Sequence, residues 1–113
     1  MIKSYNFTKK DEINSVSATP LQKAKDQTLN VRGAAITTRV DVETGEERQV
    51  GLLSTDEGTY SSISATVIKG LDLIIEYMKD LAGDSDAEGV TAQVKVKAAK
   101  SNAGREFITL ELV

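Results

Sequence analysis

A chain of 113 residues, 40% hydrophobic and 27% charged, suits one compact domain with a modest core and a well-solvated surface. It has no cysteine and no histidine, which excludes disulfides, Ser-His-Asp and Cys-His nucleophile systems, and zinc held by thiolate or imidazole. The net charge of −3, from 14 basic and 17 acidic residues, opposes a nucleic-acid ligand unless the cations are segregated from the acids, because phosphate neutralisation is the main source of such affinity.

Residues 1–27 are the least regular part of the chain. They are sparse in apolar residues and hold a charged cluster (Lys9, Lys10, Asp11, Glu12) and the only proline, Pro20. Tyr5 and Phe7 alternate at the spacing of a short strand. A partly ordered N-terminal arm is expected. It either pairs with another subunit, which would make a homo-oligomer, or lies over the ligand; the plainer alternative is a flexible tail. No segment has the roughly 20 consecutive apolar residues that span a bilayer. The first residues lack the apolar run of a secretory signal. A cytoplasmic protein with no membrane partner is therefore expected.

Residues 28–113 read as the folded domain, beginning with a β-hairpin over 28–54. Ile36, Thr38, Val40 and Val42 share one strand face, and Thr44-Gly45 supplies turn chemistry. A register centred on Gly45 sets Arg48, Val50 and Leu52 opposite Val42, Val40 and Thr38. It buries the valines together and turns Thr37, Arg39, Gln49 and Gly51 to the other face. Residues 56–60 give a short, weakly marked third strand.

The clearest element is a helix over 62–81. Ile63, Val67, Leu71, Ile74, Met78 and Leu81 form one stripe at the helical period. Ser61 or Ser62 can cap it and Gly83 can close it. Its polar face carries Asp72, Glu76 and Asp80 beside Lys69 and Lys79, which suits a core-facing helix and not a membrane surface. Acids at alternate positions over 84–89 resemble the start of a calcium loop. The acid needed at its twelfth position is Lys95, and no helix-loop-helix frame surrounds it. A polar connection is the better reading, as solubility of the turn is for Glu43, Glu46 and Glu47. No metal and no cofactor are expected.

The chain then alternates strictly. Val90, Ala92, Val94, Val96 and Ala98 face one way, and Thr91, Gln93, Lys95 and Lys97 the other. In the last strand Ile108, Leu110 and Leu112 point inward, and Phe107, Thr109 and Glu111 outward. Symmetry about Asn102 sets Lys97 opposite Phe107 and Lys95 opposite Thr109. The whole order predicts a mainly β fold, an OB-fold-like small antiparallel barrel with one amphipathic helix between strands 3 and 4.

Lys95, Lys97 and Phe107 combine cations that track phosphates with a ring that stacks on a base, the requirement of single-strand binding. Arg105 and Lys100 add charge at the adjoining loop, and Arg39 adds it on the outward face of the first hairpin. The plainer reading of that face is a solvated strand whose lysines discourage edge pairing. Tyr60, before the helix, either stacks on a base or packs under the helix as a core ring.

The block Glu57-Gly58-Thr59-Tyr60-Ser61-Ser62-Ile63-Ser64-Ala65-Thr66 resembles the replication single-stranded-DNA-binding proteins of small protein-primed tailed phages of Gram-positive bacteria. The run Val94-Lys95-Val96, then Ser101, Gly104, Phe107, Leu110 and Leu112, is similar to them too, so that the likeness covers 49–113. It implies an OB fold, single-stranded DNA as partner, and non-sequence-specific coating and protection of displaced strands during phage or mobile-element DNA replication. Tyr60 carries over first and Phe107 next. Before Gln49 the likeness fades: the family has aromatic-bearing strands there, and 28–53 has no aromatic residue. The acidic charge and the scarcity of aromatics favour the alternative, a small OB-like protein-interaction or assembly module without nucleic-acid binding. An enzyme is not expected.

Overall fold

The computed structural model describes residues 2–83, 90–100 and 102–113. The acidic 84–89 connection, calcium-like pattern included, lies outside the described residues, as does Ser101. The strands are β1 (Lys3–Tyr5), β2 (Thr19–Pro20), β3 (Thr28–Val40), β4 (Glu47–Thr55), β5 (Gly58–Ser62), β6 (Ala92–Lys100) and β7 (Glu106–Leu112). They form one sheet in the order β2-β5-β4-β3-β6-β7, with β1 beside β3. All the pairings are antiparallel except β2 with β5.

The long strand β3 organises the sheet. One edge carries β4; the other carries β6 along 28–31 and β1 along 34–36. Between them Val31 pairs with Thr55 and Gly33 with Ser54, which leaves Arg32 as an extra residue. Such a bulge bends a strand and sharpens its twist, and here the sheet curls into a half-barrel.

The inner face of that curl is the core. Leu29, Val31, Ala34, Ile36, Leu53, Val94, Val96 and Ile108 meet Val67, Leu71, Ile74, Ile75 and Met78 of the helix α2 (Ala65–Ala82). The apolar stripe does drive this helix inward. Its ends differ from expectation. Ile63 and Leu81 are 63% and 54% exposed, and Ile75 and Ala82 are buried in their place. The Ser62 hydroxyl accepts the Ser64 N–H at 3.1 Å, so this serine turns the chain two residues before the N-cap, which is Ser64 and not Ser61 or Ser62. α2 lies so close to β4 that a Cβ at Gly51 would come within 2.9 Å of Leu71 Cδ2. In chain order α2 follows β5, not a third strand, because the first residues contribute β1 and β2.

The first hairpin corrects the expected register. Gly45 N–H donates to the Asp41 carbonyl and Asp41 N–H to that of Glu46, both at 2.8 Å. The Asp41 carboxylate accepts the N–H groups of Glu43 and Thr44. The turn therefore closes at Asp41 and Glu46, and Arg48, Val50 and Leu52 stand opposite Arg39, Thr37 and Ala35. This differs from the Gly45-centred register by an odd number of residues, which exchanges the faces. Val50 and Leu52 leave the inner core, while Val40 and Val42 are 60% and 98% exposed.

The outer face of β3 and β4 is covered instead by the N-terminal residues. Phe7 packs on Ala35, Val50 and Leu52. The short helix α1 (Lys9–Asn14) starts in a capping box: Thr8 Oγ1 accepts the Asp11 N–H at 3.3 Å and Asp11 Oδ2 accepts the Thr8 N–H at 2.9 Å. The other Asp11 oxygen accepts the buried Ser54 hydroxyl at 3.1 Å, which ties helix to sheet. Further along, Leu21 and Ala24 enter the inner core at 2% and 1% exposure.

Candidate nucleic-acid interface

Directly opposed residues of an antiparallel pair share a face. In the β6–β7 hairpin Ala99 stands opposite Phe107, Lys97 opposite Thr109 and Lys95 opposite Glu111. The register differs from the Asn102-centred one by an even number of residues, so the faces are kept. Lys95, Lys97 and Phe107 lie together on the outer surface, each half-buried. Lys95 also stands opposite Thr28 of β3.

An acid lies among these cations. The Glu111 carboxylate is ion-paired with the Lys97 ammonium. That hydrogen bond, then the Lys97 charge, holds the Glu111 carboxyl below its ordinary range. At the far end of the hairpin Lys25 pairs with Glu106 at 2.6 Å. The bond raises the lysine and lowers the glutamate. Arg105 is exposed in the turn that precedes β7.

Arg39 is on the same outer face at the other end of β3. Eleven residues separate it from Thr28, roughly 36 Å of strand, so it does not sit beside Lys95. Its Nη2 donates to the buried Ser15 hydroxyl at 3.0 Å. Directly across stands Arg48. Like charges so placed repel, and the acids of the turn, Asp41, Glu43, Glu46 and Glu47, adjoin the pair. Tyr60 faces inward opposite Leu53 and is half-buried against the main core cluster.

Sequence reasoning missed Phe7, Arg48 and Arg32. Phe7 returns a ring to the outer face of strands that have none of their own. Its alternation with Tyr5 was visible, but the partner surface is remote in sequence. Arg48 became Arg39's neighbour only through the turn geometry. Arg32 was hidden because nothing local marks the bulge.

Among the described residues no helix is long and apolar enough to cross a membrane. No curated protein and no solved structure matches the chain. A family model does match, from residue 3 to residue 113, and its description is phage single-stranded DNA-binding protein. A match over nearly the whole length, on a chain whose outward strands carry cations beside an aromatic ring, places it: the chain belongs to the phage single-stranded DNA-binding protein family.

Proposed function

We propose that the outer face of the sheet holds single-stranded DNA without reading its sequence, coating and protecting strands displaced during phage or mobile-element DNA replication. The observation that carries this is Lys95, Lys97 and Phe107 on one surface. Ammonium groups on phosphates and a ring against a base are the two terms of sequence-tolerant binding. Arg39 and Arg105 extend the charge to the two ends of the surface. Tyr60, half-buried against the core, is the second ring of this reading.

The fold supports the same reading. Without β1 and β2, the order is three strands, α2, then two strands, with β3 paired to both β4 and β6. We read this as an OB-like barrel formed by residues 28–113, with 1–27 as its cover. Its long helix α2 is committed to the core, and the other α-helix among the described residues, α1, is six residues long, too short to read base edges along a groove. The role is binding and requires no catalytic group.

Fluorescence anisotropy with labelled oligo(dT), a mixed-sequence single strand and a duplex tests it. Similar affinities for the two single strands, both above the duplex, are expected. Preference for the duplex overturns the reading.

A further inference from the structure

We propose that the polar cleft between α1 and the β4–β5 turn is a subsite for one nucleotide of the bound strand, gripping its phosphate. The proposal rests on the single-strand reading above. The cleft has a volume of about 330 Å³ and is walled by Asn6, Lys10 and Asn14 on one side and by Arg32, Ser54 and Thr59 on the other. That is near the lower end of ligand pockets, about 300–1,000 Å³. It suits a single nucleotide unit.

The chemistry of the walls selects an anion. Two cations line the cleft, Lys10 and Arg32. The one acid lining it, Asp11, is already engaged at both oxygens: Oδ2 accepts the Thr8 N–H and hydroxyl at 2.9 and 3.1 Å, and Oδ1 accepts the Ser54 hydroxyl at 3.1 Å. Arg32 is held in place, its Nη2 donating to the Thr55 carbonyl at 3.0 Å and its Nε paired with Asp56 at 3.4 Å. A guanidinium has five N–H donors, so donors remain for a phosphate. Lys10 and the Asn14 amide make no side-chain hydrogen bond to another described residue. Asn6 gives one amide hydrogen to the Arg32 carbonyl at 3.2 Å and keeps its acceptor oxygen. The cleft thus has two cations for a phosphate and amides for a sugar or base.

Its position continues the lysine face. Thr28, opposite Lys95, lies four residues before Arg32 on β3, roughly 13 Å of strand. Asn30, opposite Gln93, lies between them. A strand leaving Lys95 along β3 arrives at Arg32, and the bulge turns that residue toward the cleft.

The test follows the amide resonances of the full chain while thymidine 5′-monophosphate is added, with uncharged thymidine as the control. Shifts centred on Asn6, Lys10, Asn14 and Thr59, much smaller with thymidine, and lost in Lys10→Ala, are expected. Anisotropy with oligo(dT) is read in parallel. Lys10→Ala should flatten the dependence of log K on log salt by about 0.7, one single-strand phosphate, which is about fivefold in affinity at 0.1 M salt. Suppose oligo(dT) binds the wild type and Lys95→Ala weakens it, while Lys10→Ala and Asn14→Ala bind as wild type and the monophosphate shifts nothing in the cleft. The subsite is then overturned and the single-strand reading stands. If the wild type does not bind oligo(dT), both fall.

Discussion

Replacing Glu111 by glutamine should tighten single-strand binding. The carboxylate is ion-paired with Lys97 and stands directly opposite Lys95, so a phosphate arriving at this face must displace it. Glutamine keeps the shape and removes the charge. If one masked lysine becomes available to one phosphate, the dependence of log K on log salt steepens by about 0.7, and at 0.1 M salt the affinity rises about fivefold. The gain should shrink toward nothing at 1 M salt. Anisotropy with labelled oligo(dT) at four or more salt concentrations reads slope and affinity together. Acidification gives an independent check. Glu111 in the folded chain titrates below the ordinary glutamate value of 4.5, chiefly through its hydrogen bond to Lys97. As pH falls below 4.5 it takes a proton and releases the lysine, so wild-type affinity rises more than that of Glu111→Gln. Because the shift is downward, the pair's contribution to folding is complete above 4.5 and lost as pH falls through the lowered value. The comparison therefore belongs where melting shows both proteins folded. Equal affinity of the two proteins at every salt, with equal melting temperatures, would refute the assignment of Lys97 to a phosphate.

Phe107→Ala should weaken oligo(dT) binding by about 1–3 kcal/mol, the range for an aromatic-base stack, with little change in far-ultraviolet dichroism; unchanged affinity in anisotropy removes the ring from the interface. Tyr60→Ala, which takes a ring from against the core, should lower the melting temperature as well as affinity; a loss of stability alone makes the residue purely structural. Gly33→Ala puts a methyl group into the Asn6 carbonyl, so it should destabilise by about 1–3 kcal/mol and speed proteolysis within 6–18; a protease pattern like that of wild type means the arm can shift without undocking. Lys95→Ala and Arg39→Ala should each flatten the salt dependence by about 0.7, Lys97→Ala should do so fully only in the Glu111→Gln background, and Lys79→Ala on α2 should do much less; if all four behave alike in that background, the charge is not localised on the outer face.

What the sequence revealed depended on how far each inference had to reach. The α2 stripe is a local period, and Val67, Leu71, Ile74 and Met78 are buried as the spacing requires. The β6–β7 strands alternate strictly, and centring their turn on Asn102 missed the register by an even number, which returns every side chain to its own face. The lysines and Phe107 therefore stayed together. The first hairpin had no such protection. Its turn is set by the Asp41 carboxylate capturing two backbone N–H groups, a local bond that the Thr44-Gly45 signal conceals. The resulting odd shift sent Val50 and Leu52 to the opposite side. Contacts made over long sequence separations were not legible at all. Phe7 on Ala35, and Leu21 and Ala24 in the main core, give a polar-looking segment its place. The same segment supplies Asn6, Lys10 and Asn14 to the cleft beside α1.

The net charge of −3 looked like the strongest objection to a nucleic-acid ligand, and the ion pairs change its meaning. Lys3 pairs with Asp72 and Glu76, Lys25 with Glu106, Arg32 with Asp56 and Lys97 with Glu111. These pairs lie at the surface, where a carboxylate holds a cation only weakly against solvent and salt. On the outer face a phosphate does not need an unpaired lysine. It needs one whose partner is exposed enough to exchange. Binding by exchange returns less free energy per phosphate than binding to an excess of positive charge, because each new contact replaces an existing one. The acids outside the face also oppose nonspecific association. On the proposed reading, a surface built this way holds a single strand through many weak, replaceable contacts and the stacking of a few rings. The scarcity of aromatic residues weakens the grip further, since each stack is worth about 1–3 kcal/mol per base.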